Sequence, residues 1–258
     1  MITRKSPAEI EKMRRAGRIV AEVLALIESE LRPGISTGDL DRLAERHIRA
    51  AGAIPSFKGY LGAGRYGKGP HSFPASTCIS IDAEVVHGIP GDRTIRDKSI
   101  VSVDVGAILD GWHGDGARTF VVGDVPAGTH ALVEATRLAM MAGIASAVPG
   151  ARIGDISAAI EDVAAPRGYG IVRQFVGHGI GTEMHEEPQV PNYRTGRPGR
   201  KLEPGLCLAI EPMFTLGGSD TRIEPDDWTV VTADGSMAAH FEHSIAVTDD
   251  GPQILTLA

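Results

Sequence analysis

The chain has 258 residues, 42% of them hydrophobic and 23% charged, with a net charge of −7 and no basic blocks. This is the composition of an ordinary globular protein, and the missing Lys/Arg clusters argue against nucleic acid as its main ligand. No run approaches the ~20 apolar residues of a membrane span, and the N-terminal MITRKSPAEIEKM lacks the apolar segment of a signal peptide, so a cytoplasmic protein with Cys78 and Cys207 as reduced thiols is expected.

Ser6-Pro7-Ala8-Glu9 is a capping box with proline at the first helical position. Ile10, Met13, Gly17, Val20, Leu24, Ile27 and Leu31 then recur at spacings of three and four, which predicts one apolar helical stripe ended by Arg32-Pro33-Gly34. A second helix is expected from about Asp39, with Leu40, Leu43, Ala44, His47, Ile48 and Ala51 on one face and His47 as a packed structural histidine. GAGRYG at 62–67 fits a dinucleotide-loop spacing, but Lys68-Gly69-Pro70 follows at once and blocks the helix such a loop must open.

The chain repeats itself. PGISTGDL at 33–40 and PGARIGDI at 149–156 share Pro-Gly, three residues, Gly-Asp and an aliphatic residue. Each follows an apolar helical segment, about 130–148 in the second case, and each leads to His-Gly-Ile, at 87–89 and 178–180. A β-rich run ending in a carboxylate comes next, SIVSVD up to Asp104 and LCLAIE up to Glu211. The same order occurring twice predicts two related halves facing each other across a pseudo-two-fold axis.

Within SIVSVDVGAILDGWHGDGARTFVV at 99–122, Asp110-Gly111 predicts a two-residue hairpin loop. Residue 104 then lies opposite 117 and Asp115 opposite 106, so Asp104 and Asp115 are diagonal neighbours roughly 7–8 Å apart on one face. Two carboxylates that close repel unless a cation lies between them; the alternative is a pair of solvated strand aspartates. His113 shares their face as a flanking residue. Glu211 ends an apolar strand before Pro212, and AAHFEHSIAV at 238–247 reads as a strand in which Glu242 points away from Phe241 and His243. Four carboxylates and one histidine balance two divalent cations, and the hard-oxygen set favours Mn, Fe or Co over a thiolate-type zinc site.

His87 in VVHGIPG, Asp104 in VSVDVG, Asp115 in GWHGDGARTF, GHGIGTEMHEEP at 177–188, AIEPM at 209–213 and FEHS at 241–244 together resemble type I methionine aminopeptidase, in the right order from about residue 5 to 250. The resemblance implies an α+β pita-bread fold with an antiparallel sheet core, helices packed outside and a dinuclear metal site at the centre. It implies one catalytic domain over 1–258 with pseudo-symmetric halves of about 1–125 and 126–258. Asp104, Asp115, His178, Glu211 and Glu242 match the family's metal ligands, Asp115 and Glu242 bridging, for two ions drawn from Co, Mn, Fe, Zn or Ni. His87 and His185 match the histidines that contact substrate, and Glu211 the proton carrier. The glycines around His178 would let backbone and substrate approach it. Phe57, Tyr60, Phe73, Cys78, Met184 and Trp228 match the methionine pocket, with Met184 where an aromatic is common. His240 stands where the family carries Gln and is expected behind the ligands.

The expected activity is removal of N-terminal methionine from new proteins and peptides, preferring a small second residue. The partners implied are methionyl peptides and nascent chains, with transient ribosome contact, no specific nucleic acid and no membrane, for a monomer. Rival readings are an X-Pro aminopeptidase or prolidase, whose usual extra N-terminal domain finds no room here, a type II enzyme, whose long insertion is missing, and a non-catalytic binding protein. Twelve residues separate Tyr60 from Phe73 where the family has a couple, so 61–72 holds an insertion of about ten, expected as an exposed mobile loop.

Overall fold

The computed structural model describes residues 3–61 and 72–258. The GAGRYG stretch and the insertion, apart from Leu61 and Ser72, lie outside them.

Among the described residues four α-helices surround a nine-stranded sheet, and every strand pairing is antiparallel. The first helix, α1, spans Pro7–Glu30 with the expected reciprocal cap between Ser6 and Glu9. Its stripe is buried as far as Ile27, while Leu31 caps the C-terminus. Helix α2 spans Thr37–Ala50, starting two residues before the expected Asp39 because Ser36 is the cap and accepts from the Asp39 N–H. His47 does not pack in the core: it is half-buried and its Nε2 lies 3.0 Å from Glu22 Oε2, tying α2 to α1. Helices α3 (Ala127–Ala145) and α4 (Ile153–Ala164) form the corresponding pair further along.

Each helix pair covers its own core. Val20, Ile27, Leu40 and Ile48 pack with Val101, Val103 and Val105, whereas Leu132, Ile156 and Ile160 pack with Leu208, Ile210 and Ile245. The repeat is visible in the hydrogen bonds. Gly34 donates to Ile95 and Gly150 to Leu202, while Ile95 donates back to Ile35 and Leu202 to Ala151. Gly38 donates to Gly91 and Gly154 to Pro198. Gly34 and Gly150 both take φ +91°, open to glycine at no steric cost.

The long hairpin Ser99–Leu109/Trp112–Val122 has the expected register, with Leu109 opposite Trp112, Asp104 opposite Ala117 and Gly106 opposite Asp115. The first strand does not end at Asp104 but continues to Leu109, because its inward residues stay buried through Ala107. The run 238–247 is likewise not one strand. Ala238–His240 pairs with Met213–Thr215 in a small sheet, and Glu242–Thr248 belongs to the large one. The chain crosses between sheets at Phe241, whose side chain is buried in the second core. Its neighbour crosses at Glu211-Pro212, where proline has no N–H to continue a ladder.

Candidate active site

These paired crossings place two carboxylates side by side. Glu211 follows the strand Cys207–Ile210 and Glu242 begins Glu242–Thr248, each at the point where its strand leaves the large sheet. On the hairpin, Val103 and Val105 point into the first core, so Asp104 between them points to the other face. Asp115 is pinned through its backbone: its N–H donates to Ser244 Oγ, and that hydroxyl donates to its carbonyl. His178 sits in the short strand Gly177–Gly179, and its Nδ1 pairs with the Gly179 carbonyl at 2.9 Å. That pairing puts the proton on Nδ1 and leaves Nε2 a lone pair for a cation.

The glycines flanking His178 answer to backbone packing. A Cβ at Gly177 would lie 2.4 Å from the Ala209 carbonyl oxygen, and one at Gly179 would lie 2.3 Å from that of Glu187. The other His-Gly-Ile is built alike: a Cβ at Gly88 would meet the Ile79 carbonyl oxygen at 2.3 Å. His87 itself takes φ +60°, an uncommon conformation for a residue with a side chain.

The donors converge. Asp115, His178 and Glu242 each bring one ligand atom within 4.8 Å of the others, and so do Glu211, His240 and Glu242. His178 Nε2 lies 3.4 Å from Glu211 Oε1 and 3.8 Å from Asp115 Oδ2. Buried oxygens Asp104 Oδ1, Asp115 Oδ1 and Glu242 Oε1 have no hydrogen-bond partner among the described residues. Burial and then mutual repulsion raise the pKa values of Asp104, Glu211 and Glu242 well above the carboxylate range, and burial lifts Asp115 to about 7. Burial also pushes His178 and His240 down to about 3 and His87 to about 4, so the imidazoles are neutral and offer no compensating charge. Among the described residues lining this cavity there is no Lys or Arg. Buried, unpaired carboxylates are costly, and hard divalent cations meet this donor set by charge, by ligand type and by the spare oxygens.

The cluster forms the floor of a cavity of about 410 Å³. All six expected pocket residues line it, and Phe57, Phe73, Cys78, Met184 and Trp228 make one buried apolar cluster with Tyr60 against it. Phe73 meets Trp228 edge-on at 5.2 Å between centroids. Burial raises the Cys78 thiol well above its ordinary pKa, so it acts as an apolar wall. His87 lies edge-on to Phe175, and His185 stands at the mouth with its ring 4.3 Å from that of His178. His113 is turned aside, its Nδ1 3.0 Å from Ser56 Oγ, and only flanks the site.

Several contributors escaped the sequence reading. Phe175, Val86 and Met213 also line the cavity. The Tyr60 hydroxyl reaches His185, and Asn192 Nδ2 donates to the Glu211 carbonyl at 3.0 Å. Lys5 reaches Glu186, next to His185. Apolar and amide residues of this kind carry no spacing signal of their own. His240, expected behind the ligands, lines the cavity with its Nε2 3.7 Å from Glu211 Oε2.

Residues 11–249 match metallopeptidase family M24. A methionine aminopeptidase of Clostridium acetobutylicum is 51% identical over 260 residues, spanning 100% of this chain and 99% of that protein. The crystal structure of methionine aminopeptidase from Thermotoga maritima superposes with a TM-score of 0.94 at 40% identity over 100% of both chains. Prolidase from Pyrococcus furiosus, at 21% identity and a TM-score of 0.76 over 99% of this chain and 65% of its own, shares the fold alone.

Proposed function

Because the chain belongs to metallopeptidase family M24, has the pita-bread fold and removes N-terminal methionine, we propose that Asp104, Asp115, His178, Glu211 and Glu242 would hold two divalent cations for that hydrolysis, Asp115 and Glu242 being the residues that would serve both. The observation that carries this reading is the single cavity in which an apolar, thioether-sized pocket opens directly onto the carboxylate cluster. Cations drawn from Co, Mn, Fe, Zn or Ni would supply an activated water near neutral pH and polarise the peptide carbonyl.

The chain's own residues do the rest. Phe57, Tyr60, Phe73, Cys78, Met184 and Trp228 take the methionine side chain, since aromatic and soft groups suit a thioether. Glu211, between His178 and His240, accepts the proton of the attacking water and returns it to the leaving amine. His87 and His185 donate to the scissile amide as charge develops on it. The substrates are new proteins and peptides with a small second residue, met on nascent chains with transient ribosome contact, in the cytoplasm, by a monomer. No helix among the described residues is long and apolar enough to cross a membrane. The repeated Pro-Gly turns support one catalytic domain of two halves, about 1–125 and 126–258.

Incubation with Met-Ala-Ser and Ala-Pro-Ser peptides, with and without EDTA, tests this reading. Methionine release that EDTA abolishes and added Co or Mn restores is expected. Cleavage of Ala-Pro-Ser alone would move the site to the prolidase reading, and EDTA-insensitive turnover would remove the metals from it.

A further inference from the structure

His240 stands to the carboxylates as His178 does. Its Nε2 lies 3.7 Å from Glu211 Oε2 and 4.0 Å from Glu242 Oε2, against 3.4 Å and 3.8 Å for His178 Nε2 to Glu211 and Asp115. These separations exceed a hydrogen bond. They are close to the roughly 3–3.5 Å between donors that share one cation with bonds of about 2.0–2.2 Å. His240 is only 1% exposed, and its Nε2 is buried with no hydrogen-bond partner among the described residues. A buried imidazole nitrogen left without a partner among carboxylates is costly, and with the ring proton on Nδ1 it would offer its lone pair to a cation.

The backbone that carries the imidazole is held from behind. The His240 N–H donates to Thr119 Oγ1 at 2.9 Å, and that hydroxyl donates to the His240 carbonyl at 2.8 Å. Thr119 belongs to the same hairpin strand as Asp115, so the backbone at His240 is tied to the element that carries that carboxylate. His240 and Glu242 lie on either side of the strand crossing at Phe241, and both line the cavity.

We propose that His240 is a sixth protein ligand, coordinating a cation through Nε2 together with Glu211 and Glu242, so that the centre holds two imidazoles in place of one. The proposal rests on the dinuclear reading of the five-residue set above. A second nitrogen donor shifts the preference of the centre toward later first-row metals, Ni and Zn over Mn, since imidazole suits the former and carboxylate oxygens the latter.

The test uses the full chain with ¹⁵N-labelled histidine, loaded with ¹¹³Cd, whose nuclear spin splits the resonance of each nitrogen bonded to it. Two split imidazole resonances are expected, one lost in His240→Gln and the other in His178→Gln. One split resonance, lost in His178→Gln and untouched by His240→Gln, would overturn the proposal while leaving the metal centre intact. No split resonance, with no cadmium bound, would overturn both. The native spectrum alone counts the imidazoles, so a poorly folding variant does not blunt the test. As a second readout, His240→Gln should weaken Ni binding roughly tenfold or more, at least the scale of losing an outer partner, with a smaller change for Mn. Equal changes for both metals would contradict it.

Discussion

The Tyr60 hydroxyl lies 2.7 Å from Nδ1 of His185. One hydrogen bond therefore joins the wall of the apolar pocket to a histidine at the mouth of the carboxylate cluster. With the phenol donating to Nδ1, the proton of a neutral ring sits on Nε2, where it can be given to a substrate. Tyr60→Phe keeps the pocket wall and removes the bond. We expect kcat to fall about tenfold, the equivalent of ~1.4 kcal/mol and of one hydrogen bond, with metal content unchanged. An unchanged kcat would show that the ring is oriented by other contacts.

His87→Ala and His185→Ala should keep their metal and lose turnover. Neither ring belongs to the triads that bring ligand atoms within 4.8 Å of one another. Loss of one donor to developing charge costs about 10²–10³-fold in rate. Metal analysis beside kinetics on a methionyl tripeptide decides it: a lost ion in either variant would make that histidine a ligand.

Glu242 belongs to both triads, whereas Asp104 belongs to neither. Glu242→Ala should accordingly strip metal from both positions, and Asp104→Asn should weaken occupancy less. Ions per chain, measured after dialysis into metal-free buffer, give the comparison. Equal retention in the two variants would deny Glu242 its shared place.

The sequence carried the site better than it carried the sheet. Asp110-Gly111 fixed the hairpin register, and the register set Asp104 and Asp115 on one face. Alternation alone could not reveal that the 238–247 run changes sheets at Phe241, because a crossing strand keeps its apolar pattern while its partners change. The end of the first strand was misplaced at Asp104 for a related reason: a polar residue facing a cavity reads like a strand end. His47, on an apolar stripe, looked like a core residue because a stripe says nothing of a glutamate on the neighbouring helix.

Gly17 lies inside α1 where helix propensity favours alanine by about 1 kcal/mol. A Cβ there would come within 2.3 Å of the Leu255 carbonyl oxygen, and a Cβ at the facing Gly114 within 2.5 Å of Gly17 N. The helix and the hairpin that carries Asp115 thus meet backbone to backbone. Overpacking typically costs about 1–3 kcal/mol, which outweighs the propensity gain. Gly17→Ala should therefore lower the denaturant midpoint. A raised midpoint would mean that α1 can shift away from the C-terminal segment freely.

Lys5, buried at 6% exposure, places Nζ 2.5 Å from Glu186 Oε2 and 2.8 Å from Thr3 Oγ1. This ties the N-terminal segment to the loop that bears His185. Burial tends to raise the Glu186 pKa, but hydrogen bonds from Lys5 and Thr3 and the Lys5 charge bring it below the ordinary value. A carboxylate with a depressed folded-state pKa adds stability above its unfolded value and loses it as pH falls through the folded one. Lys5→Met should cost about 1.5–3 kcal/mol at pH 7, the range for hydrogen bonds to charged groups. The gap between variant and parent should then close below about pH 4, near and under the unfolded carboxylate value. Denaturant melts of both proteins from pH 7 down to pH 3 would read this directly. A gap that stays constant over that range would assign the loss to the packing of the lysine stem instead of to its charge.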